Sequence, residues 1–198
     1  MPGEKNAKRP LPAKSNSGKA RSLFLVGFMG AGKTTVGQEL AQRLGWRFVD
    51  LDDRIIASAG KSPGSSQSTT SIAEIFRERS EEGFRRAETS ALKELLSELE
   101  TGQPTVAALG GGALVQPENV EMLRRRKAAA LIIFLDAPVE ELLRRCRGSE
   151  VQRPLFSDEN RFRHLYTARH SGYMKAEVRV ETGGKTIAEV AAEIAGLV

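Results

Sequence analysis

One short glycine-rich segment near the start of the chain constrains its fold more than any other feature. Residues 27–34, GFMGAGKT, match the phosphate-binding pattern G-x-x-x-x-G-K-[ST]. An apolar run at 22–26 comes directly before the segment, and Val36, Leu40 and Leu44 follow it at helical spacing. The sequence therefore predicts a strand, a phosphate-binding loop and a helix, in that order.

The residue types of this segment suit a nucleotide polyphosphate. Glycines let the backbone curve around phosphate groups with its N–H groups pointing inward, and the positive end of the helix dipole faces the same anion. We expect Lys33 to reach the β- and γ-phosphates and the Thr34 hydroxyl to hold Mg²⁺. The predicted ATP contacts in this segment are Gly30, Ala31, Gly32, Lys33, Thr34 and Thr35.

Two other nucleotide-binding classes do not fit. The spacing of Gly27, Gly30 and Gly32 does not form the G-x-G-x-x-G pattern of dinucleotide-binding folds. The chain also contains no Asn-Lys-x-Asp stretch, which would recognise guanine in a GTPase. An ATP-dependent protein is therefore favoured.

Apolar strand candidates alternate with helical patterns along the chain. The other strand candidates are 47–50, 105–109, 131–135 and 178–180, and helical patterns begin at 53 and cover 81–100, 117–127, 138–147, 161–175 and 186–195. Such alternation produces a parallel sheet covered by helices on both faces. The predicted fold class is α/β, with three layers.

The positive charge of the chain lies at its N-terminus. The sequence has a formal net charge of +5, and residues 1–21 hold six Lys or Arg and one Glu. The remaining residues therefore carry 24 basic and 24 acidic side chains, and a domain without net charge is not a general polyanion binder. We expect a disordered basic tail at 1–21, a domain at 22–198 and no nucleic acid partner.

Composition also limits the compartment. No apolar run approaches the roughly 20 residues needed to span a bilayer. Cys146 is the single cysteine, and the N-terminal segment lacks the apolar stretch of a secretory signal. We therefore predict a cytoplasmic protein with no membrane partner. A plastid or mitochondrial address has less support because an arginine-rich amphipathic pattern is almost absent.

Two carboxylates follow the second strand candidate, at the edge where open α/β sheets bind ligands. Alternation along a strand places Asp50 and Asp52 on the same side. One would serve the Mg²⁺ site, and the other would hold the hydroxyl group that attacks the γ-phosphate. An acidic turn that caps the next helix has a similar sequence, but the neighbouring phosphate loop favours the catalytic interpretation.

Several short motifs occur together in the order seen in one known family. They are residues 27–35, Asp-x-Asp at 50–52, SIAEIF at 71–76, EGFRR at 82–86, GGGA at 110–113 and RPL at 153–155. This ordered set resembles the shikimate kinase family, and the similarity runs from about residue 22 to the C-terminus.

The resemblance implies a kinase that transfers the γ-phosphoryl group of ATP to the 3-hydroxyl of shikimate, a step toward chorismate and the aromatic amino acids. It also implies a five-stranded parallel sheet of order 2-3-1-4-5 and a mobile lid, here at about 147–159. In the same way, Asp52 would bind the shikimate hydroxyls, and Arg85 and Arg169 would hold the carboxylate. Backbone N–H groups would come from Gly110, Gly111 and Gly112.

The resemblance also implies cations around ATP. Arg153, in the lid, would close over the phosphates, Arg145 would stack on the adenine, and Lys185 would lie on the other side of the ring. The expected catalytic residues are Lys33, Asp52 and Arg153, with Mg²⁺ at Thr34 and Asp50.

Two segments depart from the family pattern. The polar stretch 62–70 is an insertion relative to the family and lies near the expected substrate region. Residues 169–173, RHSGY, keep the arginine and tyrosine of the family's Arg-x-Pro-Leu-Tyr but lose the proline. The assignment of Arg169 therefore depends on its position in the fold.

Two alternative functions share the phosphate loop. A gluconate kinase-like enzyme would differ in its acceptor pocket, and Asp52, Arg85 and the glycine run favour shikimate instead. A catalytically idle nucleotide-binding regulatory protein would not need Lys33 and Arg153 together. We expect a monomer whose partners are ATP and shikimate.

Overall fold

A computed structural model describes residues 21–59, 71–100, 102–126, 129–148 and 158–198. These residues form five strands and seven helices. In chain order they are β1 (Ser22–Val26), α1 (Lys33–Leu44), β2 (Arg47–Asp50), α2 (Leu51–Ala59), α3 (Ile72–Glu98), β3 (Thr105–Ala108), α4 (Pro117–Arg124), β4 (Ala130–Asp136), α5 (Val139–Arg147), α6 (Glu159–Tyr173), β5 (Val178–Glu181) and α7 (Ile187–Ala195).

The five strands form one parallel sheet in the order β2-β3-β1-β4-β5. Strand β1 lies at the centre, where Ser22 pairs with Thr105 of β3 and with Ala130 of β4. Strands β1 and β3 are buried along their whole length, as expected for a sheet with helices on both faces. The structure confirms the predicted three-layer α/β fold and its strand order.

Apolar side chains hold the helices on the sheet. Helix α1 contacts α7, and α3 contacts α2 and α4. Leu40, Leu92 and Ile194, one from each of α1, α3 and α7, are fully buried. Each such side chain contributes about 1.5–3 kcal/mol relative to an exposed position. The resulting core fixes the carboxyl edge of the sheet, from which the functional loops emerge.

Helix α3 consists of two segments that meet at Ser80. A capping box begins the first segment, since the Ser71 side chain accepts a hydrogen bond from the Glu74 N–H and the Glu74 carboxylate accepts one from the Ser71 N–H. Ser80 breaks the helix with φ 61° and ψ 172°. The prediction at 81–100 captured only the second segment.

Helix α3 is 27 residues long, yet neither it nor any other helix of the described chain is apolar enough to cross a bilayer.

Most predicted boundaries agree with the structure within a few residues. Helix α1 ends where Gly45 adopts a left-handed conformation. Helix α6 begins earlier than the predicted 161, because the Asp158 carboxylate accepts a hydrogen bond from the Arg161 N–H and caps the helix. The predicted insertion 62–70, the lid residues 149–157 and the tail residues 1–20 lie outside the described residues.

An aromatic cluster ties α6 to the loop after β1. The ring of Phe28 meets Phe162 edge to face at 4.9 Å between centroids and Tyr166 at 5.5 Å. Such pairs add about 0.5–1.5 kcal/mol beyond their buried area. Helix α6 is thereby held beside the predicted phosphate loop.

Candidate active site

The predicted functional segments meet at the carboxyl edge of the sheet. Strand β1 ends at Val26, directly before the phosphate loop, and β2 ends at Asp50. Strand β3 ends at Ala108, two residues before the glycine run at 110–112. Because these strands are parallel neighbours, their carboxyl ends share one edge, where open α/β sheets bind ligands.

The phosphate loop has the backbone conformation that its glycines predict. Gly30 and Gly32 have φ values of 82° and 87°, which residues with a Cβ atom rarely adopt. Gly32 is also the N-cap of α1 and makes no side-chain capping hydrogen bond. No side chain therefore caps the helix start, as an anion-binding site requires. Of the other predicted contacts, Ala31 is buried, and the exposed Thr35 donates its hydroxyl to the Gly32 carbonyl at 3.1 Å.

Lys33 folds back over this loop. Its Nζ donates to the carbonyl oxygens of Gly27 at 3.0 Å and Phe28 at 3.2 Å. The same side chain lines the neighbouring pocket. Lys33 therefore lies between the predicted phosphate site and the space where an acceptor would enter.

Thr34 and Asp50 are close together, although 16 positions separate them in the sequence. The Thr34 hydroxyl donates to Asp50 Oδ2 at 2.7 Å. Asp50 Oδ1 accepts a hydrogen bond from the Asp52 N–H at 3.0 Å, which fixes the carboxylate at the end of β2. A hydroxyl and a carboxylate are hard oxygen donors of the kind that Mg²⁺ prefers. The predicted pair therefore fits a magnesium site.

A pocket of about 130 Å³ opens beside Lys33. It unites parts of the chain that are far apart in sequence. Its lining residues are Met29, Lys33, Asp52, Ile72, Phe76, Phe84, Arg85, Glu88, Gly110, Gly111, Gly112 and Arg169. All six residues predicted to bind the acceptor, namely Asp52, Arg85, Arg169 and the three glycines, belong to this set.

Asp52 provides an acidic group beside Lys33. Burial raises the pKa of Asp52 to about 6, and repulsion from Asp50 adds to that increase. The positive charge of Lys33 opposes the shift, whereas Glu88 and Asp53 reinforce it. The carboxylate is thus mainly ionised at neutral pH and becomes protonated in mildly acidic solution.

Arg85, Glu88 and Arg169 form the opposite, cationic part of the pocket. Arg85 Nη1 donates to Glu88 Oε2 at 2.9 Å, and the Glu88 side chain is completely buried. Burial raises the pKa of Glu88, while the Arg85 charge and hydrogen bond oppose the increase. Burial lowers the pKa of Arg169, and Arg85 lowers it further. Arg85 Nη2 also pairs with the exposed Glu81 at 3.3 Å, and the two planar guanidinium groups offer the paired donors that suit a carboxylate ligand.

Close contacts explain two of the glycines. A Cβ atom at Gly112 would lie 2.0 Å from Arg85 Nη1, and one at Gly110 would lie 2.4 Å from Glu88 Oε1. No real Cβ tolerates such distances, so the arginine–glutamate pair and the glycine run depend on each other. Oε1 of Glu88 has no hydrogen-bond partner among the described residues, which leaves it available to a ligand or water.

Sequence reasoning missed several lining residues. Glu88 was not predicted, although its position three residues after Arg85 on a helix would have indicated the ion pair. The apolar wall was also missed, and its Phe76 and Phe84 rings stack at 4.4 Å between centroids. The capping box at Ser71 would have placed Phe76 on a helix.

Three predicted cations lie outside this pocket or outside the described chain. Arg145 contacts the phosphate loop, since its Nη1 approaches the Gly30 carbonyl at 3.4 Å and its Nη2 donates to the Thr182 carbonyl at 2.9 Å. Lys185 pairs through Nζ with Glu193 at 2.5 Å. Arg153 lies outside the described residues. The roles predicted for these three residues remain predictions.

Comparisons with known proteins agree with this geometry. A family model described as shikimate kinase matches residues 29–197. The shikimate kinase of Geobacter metallireducens is 40% identical over 179 residues, covering 89% of this chain and 90% of that protein. The shikimate kinase of Geobacter sulfurreducens is 41% identical over 181 residues, with coverages of 90% and 91%.

A solved structure extends the similarity to three dimensions. The shikimate kinase from Acinetobacter baumannii in complex with shikimate superimposes with a TM-score of 0.76 and 35% identity. The superposition covers 90% of this chain and 93% of that chain.

Proposed function

The chain belongs to the shikimate kinase family, and on this premise we propose how its residues divide the reaction. The protein is an ATP-dependent kinase that transfers the γ-phosphoryl group to the 3-hydroxyl of shikimate, giving shikimate 3-phosphate and ADP. One observation carries the assignment of roles. Lys33, Asp52, Arg85 and Arg169 all line a single pocket at the end of the phosphate loop.

The phosphate loop holds the nucleotide. Backbone N–H groups of 30–35 surround the phosphates, and the start of α1 adds its dipole. Lys33 neutralises charge on the γ-phosphoryl group as it moves toward the acceptor. Because phosphoryl transfer passes through a loose transition state, this positioning and charge neutralisation supply most of the catalysis.

Asp52 holds the acceptor hydroxyl for in-line attack. Its carboxylate accepts a hydrogen bond from that hydroxyl and orients it toward the phosphoryl group held by Lys33. With a pKa of about 6, the carboxylate is also able to receive the proton as the new bond forms. In a loose transition state proton removal contributes little, so positioning comes first.

Arg85 and Arg169 bind the shikimate carboxylate. A guanidinium group meets a carboxylate with two parallel hydrogen bonds, which fixes orientation as well as adding affinity. Backbone N–H groups of the glycine run, chiefly that of Gly111, supplement the two arginines. The carboxylate and the reacting hydroxyl are thereby held at two separate positions of the ring, which fixes its orientation.

Thr34 and Asp50 would hold Mg²⁺, as their hard oxygen donors and 2.7 Å separation suggest. When bound with ATP, this ion neutralises phosphate charge. Asp50 would act through water, and it also orients the backbone before Asp52.

The remaining nucleotide contacts come from α5 and the segment after β5. Arg145 and the Lys185 N–H both contact the Thr182 carbonyl, at 2.9 and 3.4 Å. This convergence beside the phosphate loop supports a place for the adenine there, with Arg145 stacked on the ring. Arg153 completes the set from the lid and stabilises the transferring phosphoryl group. The protein acts as a monomer in the cytoplasm.

Acceptor specificity tests this proposal. Purified protein would be assayed with ATP and Mg²⁺ by coupled detection of ADP, with shikimate, quinate and gluconate offered separately. We expect rapid turnover with shikimate, weak turnover with quinate and none with gluconate, which lacks the ring. ADP release at the same rate with and without shikimate would contradict the assignment.

A further inference from the structure

Tyr173 lies behind the acceptor pocket without lining it. It is the last residue of α6, one helical turn after Arg169, and its side chain is 1% exposed. Its ring stacks on Phe134 of β4, with centroids 5.1 Å apart and an interplanar angle of 25°. This packing fixes the ring, and only the hydroxyl group remains to make a polar contact.

That hydroxyl joins the two parts of the carboxylate site. It donates a hydrogen bond to the Gly111 carbonyl. Arg169 Nη1 approaches the same carbonyl at 3.4 Å, so the arginine and the phenol share one acceptor. Burial raises the pKa of Tyr173, so the hydroxyl keeps its proton and remains a donor. One phenol thus connects the glycine run to the arginine.

Arg169 needs such a support for electrostatic reasons. It is 7% exposed and lies near Arg85, whose like charge disfavours it. Glu81 and Glu88 attract Arg169, but both carboxylates pair with Arg85, at 3.3 and 2.9 Å. Before an anionic ligand arrives, burial of the Arg169 charge, together with repulsion from Arg85, would therefore favour rotation of the Arg169 side chain toward solvent. The Gly111 carbonyl, a neutral acceptor that Tyr173 holds in place, opposes that rotation at low desolvation cost.

The same hydrogen bond also orients a peptide group of the pocket wall. A trans peptide is planar, so the Gly111 carbonyl and the Gly112 N–H point in opposite directions. Because Tyr173 holds the carbonyl toward α6, the Gly112 N–H is held away from α6. Gly112 lines the pocket and contacts Arg85. Rotation of this peptide would disturb both the glycine run and Arg85.

We propose that Tyr173 is a positioning residue for the acceptor carboxylate, which fixes Arg169 and the Gly111–Gly112 peptide through its hydroxyl group. The inference rests on the proposed binding of that carboxylate by Arg85 and Arg169. Tyr173 does not line the acceptor pocket. Its contribution therefore belongs to shikimate affinity, while the ATP site and the transfer step remain largely independent of it.

Removal of the hydroxyl tests the proposal. In Tyr173→Phe we expect KM for shikimate to rise about 10-fold, because one hydrogen bond that supports a charged site is lost. We expect kcat and KM for ATP to stay within about twofold. Tyr166→Phe is the matched control, because it removes the other tyrosine hydroxyl of the chain from the same helix, where it contacts Asp136 at 3.4 Å. Equal effects of the two substitutions would overturn the proposal.

Shikimate methyl ester lacks the carboxylate charge, so it distinguishes a positioning role of Tyr173 from general structural damage. Calorimetric affinities for shikimate and its methyl ester would be compared in the wild type, Arg169→Lys and Tyr173→Phe. We expect both variants to lose affinity for shikimate and neither to lose affinity for the ester. If Arg169→Lys shows this selective loss and Tyr173→Phe does not, only the role of Tyr173 fails. If the wild type binds the two ligands equally, the proposed carboxylate site itself fails.

A second measurement, ¹⁹F NMR, retains the tyrosine hydroxyl at position 173. In the Tyr166→Phe background, fluorotyrosine incorporation labels residue 173 alone, and its ¹⁹F resonance reports on the hydroxyl environment. Shikimate is expected to shift this resonance, and the methyl ester is expected to leave it unchanged. No shift with shikimate, or the same shift with both ligands, would overturn the proposal even if Tyr173→Phe folded poorly.

Discussion

The phosphate loop and the acceptor pocket are built in different ways. The phosphate loop takes nearly all its contacts from consecutive residues, 27–35, whose backbone conformation follows from local glycines such as Gly30 and Gly32. The acceptor pocket combines side chains of α2, both segments of α3 and α6 with backbone of two loops. Lys33 lines that pocket and bonds to the loop carbonyls, so it joins the two regions.

This difference indicates how each region responds to change. The phosphate loop depends on local backbone conformation, so it loses its function when Lys33 or the start of α1 is altered. A pocket assembled from distant elements depends on contacts between side chains, such as Arg85 with Glu88. Its losses are graded and appear mainly in affinity for the acceptor.

The largest effect is expected at the shared residue. In Lys33→Ala the γ-phosphoryl group loses its nearest cation, so kcat should fall by about 10³-fold or more. Lys93→Ala, at an exposed position of α3, is the control and should keep full activity. Steady-state kinetics with saturating ATP and shikimate would measure both. Near-normal kcat in Lys33→Ala would show that the two regions do not meet at this residue.

Asp52→Asn is expected to give the next largest loss. The amide no longer accepts the hydroxyl hydrogen bond as a carboxylate does, so kcat should fall about 10²- to 10³-fold with ATP affinity nearly unchanged. In the wild type, kcat should fall below pH of about 6, where Asp52 becomes protonated. Asp53→Asn changes the adjacent carboxylate and should retain activity. A measured pH profile of kcat that is flat between pH 5 and 8 would contradict the role of Asp52 in holding the acceptor hydroxyl.

The same substitution should increase stability. The folded state raises the Asp52 pKa from 3.8 to about 6, so the folded protein binds the proton more tightly than the unfolded chain. The free energy of unfolding of the wild type therefore decreases as pH rises through that window. Asp52→Asn removes this cost and should raise the free energy of unfolding by about 1–3 kcal/mol at pH 7. Urea unfolding at pH 4 and pH 7 would measure the difference, which should shrink at the lower pH.

Gly112→Ala should affect the acceptor pocket alone. The added Cβ would lie 2.0 Å from Arg85 Nη1, so Arg85 must move away from the carboxylate site. We expect KM for shikimate to rise about 10-fold, with KM for ATP changed less than about twofold. Gly196→Ala, where the new Cβ would meet its nearest neighbour at an ordinary 3.5 Å, is the control. A matching rise in KM for ATP would show that the regions are not separable.

The smallest effect is expected at the kink of α3. Ser80 has φ 61° and ψ 172°, a conformation that costs non-glycine residues about 1–3 kcal/mol. Ser80→Gly should therefore raise the free energy of unfolding by about 1 kcal/mol. Ser90→Gly, at an exposed helical position of α3, should lower it by a similar amount. Chemical denaturation of both variants would check the opposite signs, and destabilisation in both would contradict the strain at Ser80.

Patterns confined to a few residues predicted most of the fold. The apolar run before the phosphate loop gave β1, and the residues at 47–50 gave β2 with the observed bounds. The first segment of α3 was missed because its apolar spacing ends at Ser80, where the backbone leaves the helix. The capping box of Ser71 and Glu74 carries the missing signal.

The candidate site was predicted in part. The structure brings Asp52, Arg85, Arg169 and the three predicted glycines to one pocket. Arg85 and Arg169 are far apart in the sequence. Glu88 and the apolar wall at Phe76 and Phe84 were not predicted, because burial depends on which elements pack together. The contact of Arg145 with the Thr182 carbonyl was equally beyond sequence patterns, since it joins α5 to the segment after β5.

The sequence by itself determined the phosphate loop, the alternation of strands and helices and, through ordered motifs, the kinase family. These features are local, because glycine conformation, side-chain period and motif spacing act over a few residues. The tertiary structure alone decided that the Glu88 side chain is buried, that Asp52 has a raised pKa, and that Tyr173 bonds to Gly111. Desolvation and contacts between distant segments exist only once the chain has folded, which is why no local pattern encodes them.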